Sequence, residues 1–271
     1  MRSSSAQYYG DSQMFHGSLT EIMGTRFDLV LIGKSRDMSG IIWKRMTTEL
    51  ERLDSMLNRF ISSSEISVIN QTASVRPVKV SEEMWEILCD CRAYHQKTFG
   101  LFDITLKDFS KLEFHAEERS VFIRQPDLSL DLGGFAKGYA MKRLIAILKD
   151  DEVENCFIDF GNSAIYALGH HPYGDAWKVS IENPFLKGEI LGEFTLTNTA
   201  LSTSGNTPVY TGHIVNPLSG KKIEDRTMLC VESEDPLDAE VLTTALIAAD
   251  NHQAEKIVSQ FNLKQTKKFN L

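Results

Sequence analysis

The chain has 271 residues, of which 42% are hydrophobic and 24% are charged, and its formal net charge is −8. This composition allows one large domain or two closely packed ones, with a core that needs neither a metal nor disulfide bonds to fold. The acidic balance, without a Lys/Arg cluster, argues against general nucleic-acid binding but leaves room for a local cationic pocket.

The cysteines and the first residues bear on the cellular compartment. Cys89, Cys91, Cys156 and Cys230 form no C-x-x-C pair, which indicates buried or incidental thiols in a reducing compartment. Residues 1–10 lack the apolar run of a signal peptide, and no segment is long enough to span a membrane. We therefore expect a cytoplasmic location, or a periplasmic one if an export signal has been removed.

The first third of the chain predicts one strand and three helical segments. Residues 23–33 lead from a turn into an alternating strand, where Thr25 is either a ligand contact or simply a strand-opening residue. Apolar residues recur at helical spacing over residues 39–57 and again over residues 82–98. Between these helices, Ser64 is a candidate cap for a short helical turn in a serine-rich loop.

The most distinctive stretch is residues 130–140, which contains Gly133, Gly134 and Gly138. It predicts a strand end that turns through glycines into a helix. A helix start offers free N–H groups and a partial positive charge, and Lys137 adds a full charge, so this turn is a candidate diphosphate site. The spacing matches neither the P-loop nor the dinucleotide fingerprint. A purely structural tight turn is the alternative.

Two further regions have the character of ligand-binding segments. Residues 99–105 place apolar side chains around Asp103, as in a pocket wall with one polar anchor. Residues 201–206 and 212–220 combine hydroxyls, turn signals and His213, as a loop that grips a polar ligand would. Considered alone, a histidine such as His213 is more often structural than catalytic.

Short β-prone runs separated by glycine and proline follow the glycine turn and predict an antiparallel meander. These runs are residues 156–160, 165–168, 177–181 and 192–197. Together with the helices, they place the chain in the α+β class.

A last helix is predicted near residue 240, with Asp238 as a candidate N-cap. Glu240 and Thr244 lie four residues apart and share one helical face, where a carboxylate and a hydroxyl can both reach a hard cation such as Mg²⁺. The alternative is that Glu240 only favours the helix N-terminus and that Thr244 is buried.

Seven motifs occur in order along the chain, and as a set they are highly specific. They are Met23-Gly24-Thr25, Ser64-Glu65-Ile66-Ser67-x-x-Asn70, Gly100-x-Phe102-Asp103-Ile104-Thr105, Asp131-x-Gly133-Gly134-x-Ala136-Lys137-Gly138-Tyr139-Ala140, Thr203-Ser204-Gly205, His213-Ile214-x-x-Pro217-x-x-Gly220 and Glu240-x-x-x-Thr244-Ala245-Leu246. This set resembles the ApbE family, the FAD:protein FMN transferases, over about residues 20–250.

The resemblance implies an ApbE-like, T-fold-like α+β architecture, with mixed or antiparallel sheets and packed helices. It implies an N-terminal extension at residues 1–20 and a single flavin transferase domain at residues 21–271. The implied reaction moves FMN from FAD to a threonine or serine hydroxyl in the flavinylation motif of an acceptor flavoprotein, with release of AMP.

The resemblance also implies the site residues. The FAD contacts are Met23, Thr25, Ser64, Glu65, Asn70, Phe102, Asp103, Gly133, Gly134, Lys137, Thr203, Ser204, Gly205 and His213, and His213 is also the candidate catalytic group. The metal, usually Mg²⁺, is held by the backbone carbonyl of Ala136, by Glu240 and by Thr244.

Three departures from the family pattern keep other functions open. Glu240 stands where the family has aspartate, Asn162 replaces a glycine of the turn after Phe160, and the usual lipoprotein leader or export signal is not seen. One alternative is a metal-dependent FAD pyrophosphatase that gives FMN and AMP. The other is a non-catalytic flavin-binding or flavin-delivery protein.

Overall fold

The computed structural model of the chain describes residues 3–209, 211–212 and 214–271. The elements in chain order are β1 (Ser4–Tyr9), β2 (Met14–Ile22), β3 (Thr25–Ile32), α1 (Arg36–Leu57), α2 (Glu65–Thr72), β4 (Val78–Lys79), α3 (Glu82–Lys97), β5 (Leu112–His115), β6 (Ser120–Ile123), α4 (Ala136–Asp150), β7 (Asn155–Phe160), β8 (Ala164–Leu168), β9 (Trp177–Glu182), β10 (Ile190–Leu196), β11 (Thr199–Gly205), β12 (Thr227–Ser233), α5 (Pro236–Ile247), α6 (Asn251–Val258) and β13 (Leu263–Asn270). A 3-10 turn covers Phe109–Lys111.

The centre of the fold is an eight-stranded sheet in the order β1-β2-β3-β7-β8-β11-β12-β13. Every neighbouring pair in it is antiparallel. Two smaller antiparallel sheets, β4-β6-β5 and the β9-β10 hairpin, complete the architecture. This arrangement confirms the α+β prediction. No helix in the described part of the chain is long and apolar enough to cross a membrane.

Both faces of the large sheet are covered near β11 and β12. Helix α5 packs on one face against these two strands and against α4, which itself contacts α1. On the opposite face, the β9-β10 hairpin buries Trp177 and Phe194 in a cluster with Leu201 and Met228. Because both faces are covered, β12 is buried along its whole length. Helix α5, which carries two predicted metal ligands, is therefore packed against two interior strands of the sheet, β11 and β12.

Side-chain caps set the helix starts. Ser35, Ser64 and Ser81 accept hydrogen bonds from backbone N–H groups in the first turns of α1, α2 and α3, which confirms Ser64 as a cap. Helix α5 starts differently from the prediction, because Asp235 is its cap and Pro236 takes its first position. Asp238 lies inside the first turn.

The structure differs from the sequence prediction in three other segments. The residues before the glycine turn belong to no sheet, and the backbone of Leu130 is hydrogen-bonded to the Asn70 side chain. Residues 201–205, which belong to the predicted binding segment 201–206, lie in the interior strand β11 (Thr199–Gly205). The predicted meander is divided, because β9 and β10 leave the large sheet to form their own hairpin. The predicted boundary between an extension and the domain at residue 20 stays a prediction; in the structure, Ser4–Tyr9 and Met14–Ile22 form β1 and β2.

A cluster of ion pairs and hydrogen bonds joins helices α1, α3 and α4. Arg52 of α1 donates to Glu49 of the same helix at 2.8 Å and to Glu83 of α3 at 2.6 Å. The hydroxyl of Tyr139 in α4 donates to Glu83 at 2.9 Å. Hydrogen bonding from the Arg52 guanidinium lowers the pKa of both carboxyl groups below the usual glutamate value.

The cluster predicts a pH-dependent contribution to stability. A lowered carboxyl pKa stabilises the fold fully above the ordinary glutamate pKa of about 4.3, and this contribution is lost as the pH falls through the lowered value. Arg52→Met should therefore lower the urea midpoint at pH 7, and its difference from wild type should shrink towards pH 3. Arg119→Met removes an exposed pair with Glu82 and should change little. A difference that does not vary with pH contradicts this account.

Candidate functional site

One end of the large sheet gathers most of the predicted motifs. At this end the side chain of Thr25 lies against the backbone of Gly161 in the β7-β8 turn. The N–H of Thr203 donates to the carbonyl of Ser163 in the same turn, at 2.8 Å. One residue earlier in β11, the Ser202 hydroxyl donates to Glu240 of α5 at 2.9 Å. The contacts join four chain segments that are far apart in sequence.

A cleft of about 140 Å³ lies beside this end, between the β2-β3 turn and the start of α4. Its lining includes Met23, Arg59, Asp131, Gly133 and Ala136. Three of these, namely Met23, Gly133 and Ala136, were predicted as site residues. The cleft therefore joins the first motif to the glycine turn.

The glycine turn keeps part of its predicted anion-binding character. Among the described residues, no side chain caps α4, so the helix start keeps its capacity to bind an anion. The N–H of Gly133, however, donates to Asp131 at 2.8 Å. Arg59 reaches the same carboxylate at 3.4 Å and places a guanidinium in the cleft. Arg59 therefore places a positive charge in the cleft in addition to Lys137, the cation that the sequence predicted there.

Lys137 has another partner, the nearly buried carboxylate of Glu240. The ammonium of Lys137 forms an ion pair with Oε1 of Glu240, while Ser202 donates to Oε2. The Glu240 residue is 4% exposed, and the Lys137 side chain is 20% exposed. Thr243, also buried, lies 3.2 Å from the Ser202 hydroxyl. Both carboxylate oxygens of Glu240 are thus occupied by groups of this chain.

The predicted metal ligands form a set of hard oxygens around the glycine turn. A Cβ atom on Gly134 would lie only 2.8 Å from Oγ1 of Thr244, so the glycine allows this hydroxyl to approach the turn. Ala136 is the first residue of α4, and Glu240 contacts its neighbour Lys137. No group of three or more His, Cys, Asp or Glu residues able to hold a metal occurs in the described ranges. Hydroxyl and carbonyl oxygens must therefore complete any site, and this donor chemistry suits Mg²⁺.

Asp238 does not compete with Glu240 for this role. Its carboxylate accepts a hydrogen bond from the Tyr94 hydroxyl of α3 at 2.6 Å. Burial raises the pKa of Asp238, and burial also raises the pKa of Tyr94. Asp238 therefore faces α3, whereas Glu240 faces β11 and α4.

Three predicted flavin contacts serve the scaffold around the site. Ser64 caps α2, and Glu65 accepts hydrogen bonds from the N–H and hydroxyl of Ser81 at 2.6 and 2.8 Å. The Asn70 amide makes two hydrogen bonds with the backbone of Leu130, just before the glycine turn. In this structure, the second motif therefore positions the glycine turn.

Phe102 and Asp103 of the third motif likewise contact other groups of this chain. Phe102 is buried against Tyr94 and Phe135, with ring centroids 6.1 and 6.4 Å apart. One carboxylate oxygen of Asp103 accepts hydrogen bonds from the N–H and hydroxyl of Thr105, both at 2.7 Å. The predicted polar anchor thus stabilises its own turn.

The end of β11 holds the fifth motif, with partly exposed side chains. The Thr203 hydroxyl lies 3.5 Å from the sulfur of Cys230, and Ser204 pairs with Leu229 in the sheet. Gly205 allows close contact with Met228 in β12. Of these residues, Thr203 is tied directly to the β7-β8 turn of the site.

His213 and Asn162 are the remaining positions that the sequence singled out. His213, the predicted catalytic residue, lies outside the described residues, and its role stays a prediction. Asn162, which replaces a family glycine, has φ +57°, a conformation that asparagine tolerates better than most residues. Its N–H donates to Asp159 at 2.7 Å, so this substitution preserves the turn.

Three site residues were missed by the sequence analysis, which assigned them no role. Ser202 directly precedes the Thr203-Ser204-Gly205 motif, and its alternation with Thr203 along a strand would have placed it on the α5 face. Arg59 and Phe60, which both line the cleft, follow the C-cap of α1 at Asn58 and precede the second motif. A cation next to an aromatic residue in a polar loop was the available signal.

Comparisons with known proteins agree with this geometry. The ApbE family model matches residues 23–121 and 106–266. An FAD:protein FMN transferase of Klebsiella pneumoniae (strain 342) is 26% identical over 234 residues, covering 73% of this chain and 72% of the relative. Another from Chlamydia muridarum is 26% identical over 251 residues, with coverages of 78% and 76%.

Solved structures show the same fold. The flavin transferase ApbE from Vibrio cholerae superposes with a TM-score of 0.79 at 18% identity, covering 100% of this chain and 97% of that one. The ApbE protein from Thermotoga maritima gives a TM-score of 0.78 at 21% identity, with coverages of 94% and 91%. Because the family model spans most of the sequence, this chain belongs to the ApbE family.

Proposed function

We propose that this chain is an FAD:protein FMN transferase, the activity that names its curated relatives. The observation that carries the proposal is the meeting of two features at the start of α4. One is an uncapped helix start beside a cleft that contains Arg59. The other is the set of hard oxygens provided by Glu240, Thr244 and Ala136. A diphosphate ester requires both anion binding and charge compensation.

The proposed reaction is a phosphoryl-type transfer. The hydroxyl oxygen of an acceptor threonine or serine attacks the phosphorus of the FMN half of FAD. A new phosphoester bond forms, and the bond from this phosphorus to the bridging oxygen of the diphosphate breaks. The bridging oxygen leaves with AMP, and the hydroxyl proton is released. His213 is proposed to act at this step, as the family resemblance implies.

The residues of this chain position the diphosphate and balance its charge. Arg59 and the start of α4 bind the anion, and Asp131 orients both by contacting the Arg59 guanidinium and the Gly133 N–H. Glu240, Thr244 and the carbonyl of Ala136 would hold Mg²⁺. When bound, Mg²⁺ neutralises charge that builds on the departing AMP. The acceptor is proposed to be a flavoprotein segment with a serine or threonine flavinylation motif.

The test follows the fate of both halves of FAD. Purified protein is incubated with FAD, Mg²⁺ and an acceptor domain, and AMP and free FMN are measured by chromatography. A transferase releases AMP only when the acceptor is present, and free FMN does not accumulate. Equal amounts of AMP and free FMN without acceptor would instead identify a pyrophosphatase.

Phe60 at the cleft is expected to stack on a ring of FAD. Its residue is 84% exposed, and the Arg59 guanidinium lies 4.9 Å from its ring centroid. Phe60→Ala should weaken FAD binding roughly 3- to 10-fold, the range for one aromatic pair, without changing the melting temperature. Tyr173→Ala, which removes another exposed ring, is the control and should not alter affinity. Fluorescence titration measures both, and unchanged FAD affinity in Phe60→Ala contradicts the stacking role.

A further inference from the structure

The carboxylate of Glu240 requires a cation, because it is almost completely removed from water. An unpaired buried carboxylate is costly, and breaking a buried ion pair by removing one partner strongly destabilises a protein. In this structure the cation is the ammonium of Lys137, on Oε1. The same carboxylate belongs to the oxygen set that suits Mg²⁺. Lys137 and a divalent ion would therefore bind the same oxygen atom of Glu240.

The second oxygen does not relieve this conflict. Oε2 of Glu240 accepts the Ser202 hydrogen bond at 2.9 Å, and Ser202 is itself buried. The Cβ of Glu240 packs against Gly138, at 2.8 Å from where a Cβ on that glycine would lie. The carboxylate is thus held at both its root and one oxygen, and Oε1 is the atom that it offers to a cation.

The ammonium of Lys137, in contrast, is able to move away from Glu240. It is the second residue of α4, and its side chain is partly exposed. Its neighbour Ala136 lines the cleft in which the diphosphate is proposed to bind. A long, flexible lysine at this position can exchange a carboxylate partner for a phosphate partner.

We propose that Lys137 is a built-in counter-cation of Glu240 that a divalent ion must displace, and that a bound diphosphate draws Lys137 away. This inference rests on the proposed function for the identity of the diphosphate. Nucleotide and metal then bind cooperatively, because each favours the state in which Lys137 has left Glu240. By linkage, the nucleotide raises metal affinity by the same factor by which the metal raises nucleotide affinity.

Mn²⁺ binding to the nucleotide-free protein tests the exchange without any need for transfer activity. Electron paramagnetic resonance of free Mn²⁺ gives the dissociation constant for wild type and variants. Lys137→Met should bind Mn²⁺ at least about tenfold more tightly, because the competing ammonium is gone. Lys142→Met, on the same helix but paired with Asp235 at 3.3 Å, is the matched control and should bind as wild type does.

Two further variants identify the site and guard against misfolding. Glu240→Gln should lose the Mn²⁺ binding seen in the other proteins, which shows that the signal reports this carboxylate. Lys137→Gln keeps a polar side chain and should give the same tightening if Lys137→Met proves too unstable to study. Mn²⁺ affinity that is unchanged or weaker in both Lys137 variants overturns the proposal, as does undiminished binding in Glu240→Gln.

A melting experiment and a nucleotide titration provide independent readouts. Without divalent ions, Lys137→Met should melt below wild type, and Mn²⁺ should raise its melting temperature by more than it raises that of wild type. In wild type, Mn²⁺ should increase affinity for ADP, and this coupling should shrink in Lys137→Met. Equal coupling in the two proteins contradicts the exchange. None of these results depends on whether FMN is transferred.

Discussion

Glu240→Gln is expected to reduce metal-dependent FMN transfer by at least about 100-fold, the usual scale for losing one key group that stabilises transition-state charge. Glutamine keeps the shape and the Ser202 contact, but it removes the negative charge that either Lys137 or a divalent ion requires. Initial rates of AMP release at saturating FAD measure the loss. Glu232→Gln alters another buried acid, bonded to Thr199 in the sheet, and serves as the control with near wild-type activity.

The matched substitution Glu240→Asp separates the proposed enzyme from a flavin carrier. Aspartate is the residue of the family resemblance, and its shorter side chain should keep Mg²⁺-dependent activity similar or raise it. The longer Glu240 should relax the preference for Mg²⁺ over Mn²⁺ or Ca²⁺, because larger ions accept more flexible shells. If wild type is inactive with every divalent ion and Glu240→Asp alone restores transfer, the natural chain only binds flavin. Full activity in Glu240→Gln would remove Glu240 from the mechanism.

Gly138→Ala is expected to destabilise the protein by about 1–3 kcal/mol, although alanine is the better helix former. The new Cβ would lie 2.8 Å from the Cβ of Glu240, 2.9 Å from the carbonyl oxygen of Pro236 and 3.0 Å from the Cα of Leu237. Two of these atoms belong to the backbone of α5 and cannot move independently. Helices α4 and α5 must therefore separate, which also displaces Glu240 from Lys137.

The helical glycine Gly40 gives the control for this substitution. A Cβ there meets no atom within 4 Å, so Gly40→Ala should stabilise the protein by roughly 0.5–1 kcal/mol. Urea unfolding of both variants measures the difference. Gly138→Ala as stable as wild type would show that α4 and α5 are not closely fitted at this point.

The sequence predicted the helices and the outline of the site because these depend on local patterns. Apolar spacing located α1 and α3, and Glu240 and Thr244 lie on one helical face through their four-residue separation. The glycine turn was recognised because glycines and a lysine at a helix start carry a local signal. Asn162 was noted as a departure, and its positive φ explains how the turn is retained.

What the sequence could not predict depends on tertiary pairing. Glu240 is the partner of both Lys137 and Ser202, and it lies 103 and 38 residues away from them in sequence. No local spacing therefore predicts either contact. The sequence predicted residues 201–205 as part of a polar loop, because hydroxyls are typical of turns. Their backbone instead pairs with β12, which makes them a strand. The scaffold roles of Glu65 and Asn70 were also hidden, because their backbone partners become neighbours only in the fold.

The most direct test of the proposed activity is the intact mass of an acceptor protein. An acceptor domain with a serine or threonine flavinylation motif is incubated with this protein, FAD and Mg²⁺, beside the same domain with its hydroxyl residue changed to alanine. We predict a mass increase equal to one phosphoester-linked FMN on the hydroxyl-bearing domain, none on its alanine variant, and one AMP per modified acceptor. Consumption of FAD with no mass added to either domain would contradict the account.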